Sequence, residues 1–111
     1  MPHVPVDLGI VSADAECVEV HFVGGDLVLA FVGYDEVPRR HVFHDVLAFR
    51  FQELDDEPSL RDDCSYEVVG SPWLARQCEL QAVPAAEYAH YLVCFNACGA
   101  LDVLCRRQSP R

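Results

Sequence analysis

Cys17-Val18-Glu19-Val20-His21-Phe22-Val23-Gly24-Gly25-Asp26-Leu27-Val28-Leu29-Ala30-Phe31-Val32 is the stretch on which the fold turns. Both halves are rich in β-formers, and the Gly-Gly pair between them suits a two-residue primed turn. With that pair as the loop, Phe22 faces Leu27, Val20 faces Leu29 and Val18 faces Phe31. All six are apolar and share one face, because side chains alternate along a strand. Glu19, His21, Val28 and Ala30 make a more mixed opposite face. A one-residue slip would scramble this match, so the spacing predicts a hairpin in a defined register.

Downstream, Tyr34 to Arg40 reads as a loop in which Pro38 breaks any pairing. A third strand is expected from Val42 to Glu53, with Phe43, Leu47, Phe49 and Phe51 on one face. His44, Val46, Ala48, Arg50 and Gln52 take the other, and Asp45 interrupts the apolar face near its start. Leu54 to Asp63 is an acidic connection, followed by a short strand at Tyr66 to Val69. Ser71-Pro72-Trp73-Leu74 has the form of a helix start, with Ser at the N-cap and Pro at the first helical position. That helix should run to around Glu79, before Pro84.

The last third predicts a second hairpin, Tyr88 to Phe95 and Ala100 to Arg106 around Asn96-Ala97-Cys98-Gly99. In that register His90 falls opposite Cys105. Both strands are apolar on both faces, which places them centrally or under cover on two sides. The expected fold class is α+β, mainly β: a curled antiparallel sheet, half-barrel or small sandwich, of about six strands, with one short helix over an opening. At 111 residues the chain, 1–111, is expected to form one domain.

Hydrophobic residues make up 51% of the chain, enough for a core and far from a disordered composition. No apolar run approaches the roughly 18 residues that cross a bilayer. Met1-Pro2-His3-Val4-Pro5 lacks the positive start of a signal peptide, so a cytoplasmic location is expected. The six cysteines, Cys17, Cys64, Cys78, Cys94, Cys98 and Cys105, then read as reduced thiols. The formal charge is −10, and the eight basic residues are all Arg, a bias consistent with a GC-rich bacterial genome. A net-negative surface repels phosphate backbones and anionic lipid, which argues against nucleic-acid and membrane partners. A basic protein partner, or simple solubility, fits the same charge.

Chemistry-bearing motifs are few. Cys94-x-x-x-Cys98 brackets a turn and lacks a second ligand pair, and residues of His41-x-x-His44 point to opposite faces of a strand. A metal bound around Cys94, Cys98, Cys105 and His90 is therefore the minor reading, and no metal or cofactor is expected. No Gly-x-Ser-x-Gly elbow surrounds any serine. Asp55, Asp56, Glu57, Asp62 and Asp63 do not have the alternation or central Gly of a calcium loop. They read as a solvated loop or as a patch that meets a cationic partner. Trp73 is a core anchor or an interface aromatic, and Arg50 snorkels or pairs with a carboxylate.

Phe43-His44-Asp45-Val46-Leu47-Ala48-Phe49-Arg50-Phe51, Glu67-Val68-Val69-Gly70-Ser71-Pro72-Trp73-Leu74 and His90-Tyr91-Leu92-Val93-Cys94-Phe95-Asn96 carry one resemblance. Together with Leu101-Asp102-Val103-Leu104, this succession of strand, helix start and hairpin resembles small bacterial β-rich domains. Some of those are grouped with immunity proteins of polymorphic toxin systems. The resemblance spans about residues 43–104, leaves the first hairpin outside it, and transfers no catalytic residue. It implies a non-enzymatic, cytosolic protein-binding domain, for which a negative surface would steer a basic toxin.

The leading expectation is thus a non-catalytic protein-binding domain, able to self-associate through a sheet face or edge. Asp55, Asp56, Glu57, Asp62 and Asp63 are its candidate contact residues. The rival is a ligand-binding or enzymatic half-barrel with a concave pocket around His44, Arg50 and His90.

Overall fold

The computed structural model describes residues 3–6, 8, 16–33, 36–52, 65–95 and 99–108, and of Glu16 and Cys17 the backbone alone. Among them are eight strands: β1 (His3–Val6), β2 (Glu16–Val23), β3 (Asp26–Val32), β4 (Pro38–Phe43), β5 (Ala48–Gln52), β6 (Ser65–Val68), β7 (Tyr88–Phe95) and β8 (Gly99–Arg106). One helix, α1 (Pro72–Gln81), and a 3-10 turn at Ala85–Glu87 separate β6 from β7. The strands form two antiparallel sheets, ordered β1-β6-β7-β8-β5 and β2-β3-β4. Neither closes into a barrel. Of the two expected shapes, the sandwich is the one formed.

The first hairpin follows the predicted register from Val23↔Asp26 through Phe22↔Leu27 and Val20↔Leu29. Gly24 and Gly25 supply φ values of +61° and +86°, the left-handed pair that a primed turn demands. The register then shifts between Glu19 and Glu16, so the Val18–Phe31 pairing is replaced by a bulge.

Two expectations are corrected at the next strands. Pro38 does not break pairing: it begins β4, opposite Val32, on an edge strand where a missing N–H costs no ladder bond. The single strand from Val42 to Glu53 is two strands in different sheets. Asp45 adopts φ +50°, and the chain crosses from one sheet to the other over residues 44–47. The Val46 amide donates to the Gly25 carbonyl and the Leu47 amide to the Leu104 carbonyl, one bond to each sheet.

Leu27, Leu29 and Phe31 of β3 and Phe43 of β4 pack on Ala89, Tyr91, Val93 and Phe95 of β7 and Leu101, Val103 and Cys105 of β8. Rings meet across the layer: Phe31 against Phe95 at 6.0 Å and Phe43 against Tyr91 at 6.4 Å. Burial pushes the Cys105 thiol up to about 12 and raises that of Cys78. Cys78, Cys94 and Cys105 are buried and form no disulfide.

All eight positions of β7 are buried, as two-sided apolar strands require. The second cover is α1, which packs against the outer face of the larger sheet rather than over an opening of the sandwich. Ser71 caps α1, its Oγ accepting from the Leu74 amide, and Pro72 stands in the first turn as predicted. No helix among the described residues is long and apolar enough to cross a membrane.

Candidate functional site

The outer face of β7 and β8 carries a chain of polar side chains beneath α1. His90 on β7 and Asp102 on β8 point to this face, and the His90 Nε2–H donates to Asp102 Oδ1 at 2.6 Å. In the neutral ring that bond sets the tautomer and leaves Nδ1 as the acceptor for the Ser71 hydroxyl at 2.8 Å. Ser71 Oγ in turn accepts from the Leu74 amide at 3.2 Å. On the other side, Arg50 Nε and Gln52 Nε2 of β5 both donate to Asp102 Oδ2 at 3.2 Å. The series runs from the helix N-terminus, across β7 and β8, to the sheet edge.

Ser71, His90 and Asp102 are buried at 5%, 3% and 3% exposure, yet their side-chain polar atoms are all hydrogen-bonded, the condition under which buried polar groups are tolerated. Burial works to raise the Asp102 carboxyl, but the hydrogen bonds from His90 and Arg50 outweigh it and hold the group below the usual carboxylate range. Trp73 lies edge-on to the imidazole at 5.5 Å, and the Arg50 guanidinium sits over the indole, 4.8 Å from its centroid. Half-exposed Arg50 thus forms the solvent end of the series.

Serine, histidine and carboxylate stand in the order that activates a nucleophilic hydroxyl in hydrolases. Here the imidazole is reversed, with Nδ1 to the serine and Nε2 to the carboxylate, all three side chains are buried, and the Ser71 oxygen also caps the helix. The series ties the first turn of α1 to the sheet.

Of the three pocket residues expected from sequence, Arg50 and His90 converge, both on Asp102. His44 does not join them. It lies in the crossover, exposed, with Nδ1 3.4 Å from Asp26 Oδ1. Asp55, Asp56, Glu57, Asp62 and Asp63 lie outside the described residues. The His90–Cys105 pairing is corrected by one residue: His90 is opposite Leu104, and Ala89 is opposite Cys105. The shift puts Cys105 in the inter-sheet core, on the face away from His90. Among the described residues no three His, Cys, Asp or Glu side chains group as a metal would need.

A second feature lies where the two sheets share an open side. Phe22 of β2 meets Phe49 of β5 at 5.6 Å, and Phe51 stacks on Phe95 at 6.2 Å. Phe22, Phe49 and Phe51 remain 51%, 39% and 43% exposed. The sequence assigned these rings to an apolar face but gave no sign that the face is left partly uncovered.

No protein-family model, curated protein or solved structure matches the chain.

Proposed function

We propose that the chain is a non-catalytic protein-binding domain whose partner is basic and carries apolar side chains. The observation that carries the reading is the seam of Phe22, Phe49 and Phe51. Adjacent half-exposed aromatics are costly in water and are the side chains that anchor protein interfaces. The chain's formal charge of −10 selects the partner's sign, and it opposes a second copy of the same chain on this seam. Glu53, Asp55, Asp56 and Glu57 follow Gln52 directly in sequence, next to the strand that bears Phe49 and Phe51. An immunity-like role against a basic toxin domain is the narrower form of this proposal. The pocket alternative gains no support from Arg50 and His90, because their convergence is spent on Asp102.

Fluorescence anisotropy with two labelled peptides tests the reading, one alternating Val and Arg and one alternating Val and Glu. The Val/Arg peptide should bind, weaken as salt rises, and lose about tenfold or more in affinity to Phe49→Ser. Equal binding of both peptides, or of neither, rejects the proposal. Sedimentation of the protein alone covers the remaining occupant: a dimer that Phe49→Ser dissociates would assign the seam to a second copy.

A further inference from the structure

The mode of binding follows from comparing the four sheet edges. Unpaired edge strands invite another strand, and proteins guard them with proline, charge or bulges. β1 carries Pro5, and β4 carries Pro38 followed by Arg39 and Arg40. β2 has the register shift between Glu16 and Glu19, with Glu19 and His21 exposed beyond it. β5, Ala48-Phe49-Arg50-Phe51-Gln52, has neither proline nor bulge. Its register with β8 is regular at all five positions, from Ala48↔Leu104 to Gln52↔Ala100. The one charge on it, Arg50, is turned to the helix face and held by Asp102 and Trp73. No strand lies beyond β5 among the described residues.

Resting on the protein-binding reading, we infer that the basic partner binds by adding an extended segment as a sixth strand on the outer edge of β5. Backbone hydrogen bonds to β5 set the register, and side chains of the added strand alternate between two environments. One set meets Phe49, Phe51 and Phe22 at the seam, so it is apolar. The other lies beside Arg50, Gln52 and Trp73, where polar side chains are solvated. The chain's formal charge of −10 favours cationic residues flanking the segment.

The test modifies the probe and leaves the protein intact. Backbone N-methyl groups are placed on the Val/Arg peptide at every second residue, in two series offset by one. An added strand turns alternate amides toward β5 and the rest toward solvent. One series should therefore lose about tenfold or more in affinity, while the other binds within about threefold of the parent. Protection of β5 amides from hydrogen exchange on adding the parent peptide is the second expected result. Equal affinity of both series with the parent, or unchanged β5 exchange, overturns strand addition while leaving a charge-selective interface standing. Failure of the unmethylated peptide to bind overturns the protein-binding reading itself.

Discussion

The two faces of the β7–β8 ribbon are both buried, the inner by apolar packing and the outer by apolar packing together with a hydrogen-bonded series. The inner face meets β3 and β4 through Leu27, Leu29, Phe31 and Phe43, where burial is non-directional and fit is a matter of shape. The outer face carries its own apolar cluster, Leu92, Cys94 and Ala100 with Tyr66 and Val68, but Ser71 at the start of α1 is joined to His90, and His90 to Asp102, by contacts that each have a donor, an acceptor and a direction. Apolar packing supplies more of the stability, whereas the hydrogen-bonded series specifies where the helix sits. A greasy helix could slide on an apolar sheet; Ser71 seated on His90 cannot.

The contrast can be broken first on the apolar side. Phe43→Ala empties a fully buried ring site between the sheets and should cost about 3–5 kcal/mol in urea unfolding. On the polar side, Asp102→Ala takes the acceptor from His90 and from half-exposed Arg50, and should cost about 3 kcal/mol. The paired replacement His90→Leu with Asp102→Leu should cost less than Asp102→Ala, because the His90 donor leaves together with its acceptor and only the Ser71 hydroxyl loses a partner. If the pair costs more, the network is a stabiliser rather than a locator, and the contrast fails.

Acid separates the faces without mutation. The Asp102 carboxyl lies lower in the folded chain than its ordinary value of about 3.9 when unfolded. Its contribution is therefore complete above that unfolded value and is lost as pH falls through the folded one. Asp102→Asn should flatten the acid limb of the stability profile, while Phe43→Ala should lower the curve and keep its slope. Smaller again, Ser71→Ala removes the cap on Leu74 and the donor to His90, for about 1–2 kcal/mol by thermal unfolding. At the far end of the helix, exposed Ala82 holds a left-handed C-cap at φ +54°. Ala82→Gly should raise stability by about 0.5–1 kcal/mol, tightening α1 without touching the network.

Local signals were legible wherever a short-range device decides the outcome. Gly24-Gly25 with matched apolar pairs set the first hairpin, and Ser71-Pro72 set the start of α1. The misreadings come from choices that depend on distant chain. Pro38 pairs because β4 is an edge strand, and edge status is a property of the whole sheet. The run from Val42 to Glu53 alternates well enough to pass for one strand, but two sheets compete for it and Asp45 makes the break. A loop shorter by one residue accounts for the His90–Leu104 pairing, since Phe95 already faces Gly99. Asp102, the hub of the site, is hard to find from local sequence. Its signal was present, a lone acid within Leu101 to Cys105, but its partners Arg50 and His90 stand far off in sequence. Arg50 does pair with a carboxylate, but nothing in the residues around it points to Asp102. The exposed seam depends on where two sheet edges end together, and alternation along one strand carries no trace of that.

The strand order of the larger sheet has a kinetic consequence. β2, β3 and β4 are neighbours in sequence and in space, so that sheet closes through short loops. β7 and β8 form a hairpin that is equally local. β1 is different: His3 must find Val68, and β5 must reach past its neighbour in sequence to β8. Ordering so much intervening chain before any contact rewards it slows folding. The sandwich should therefore assemble from two fast local pieces, with the crossover at 44–47 as the stitch between them. β1 would then dock last, leaving the β6 edge open to the wrong neighbour until it arrives.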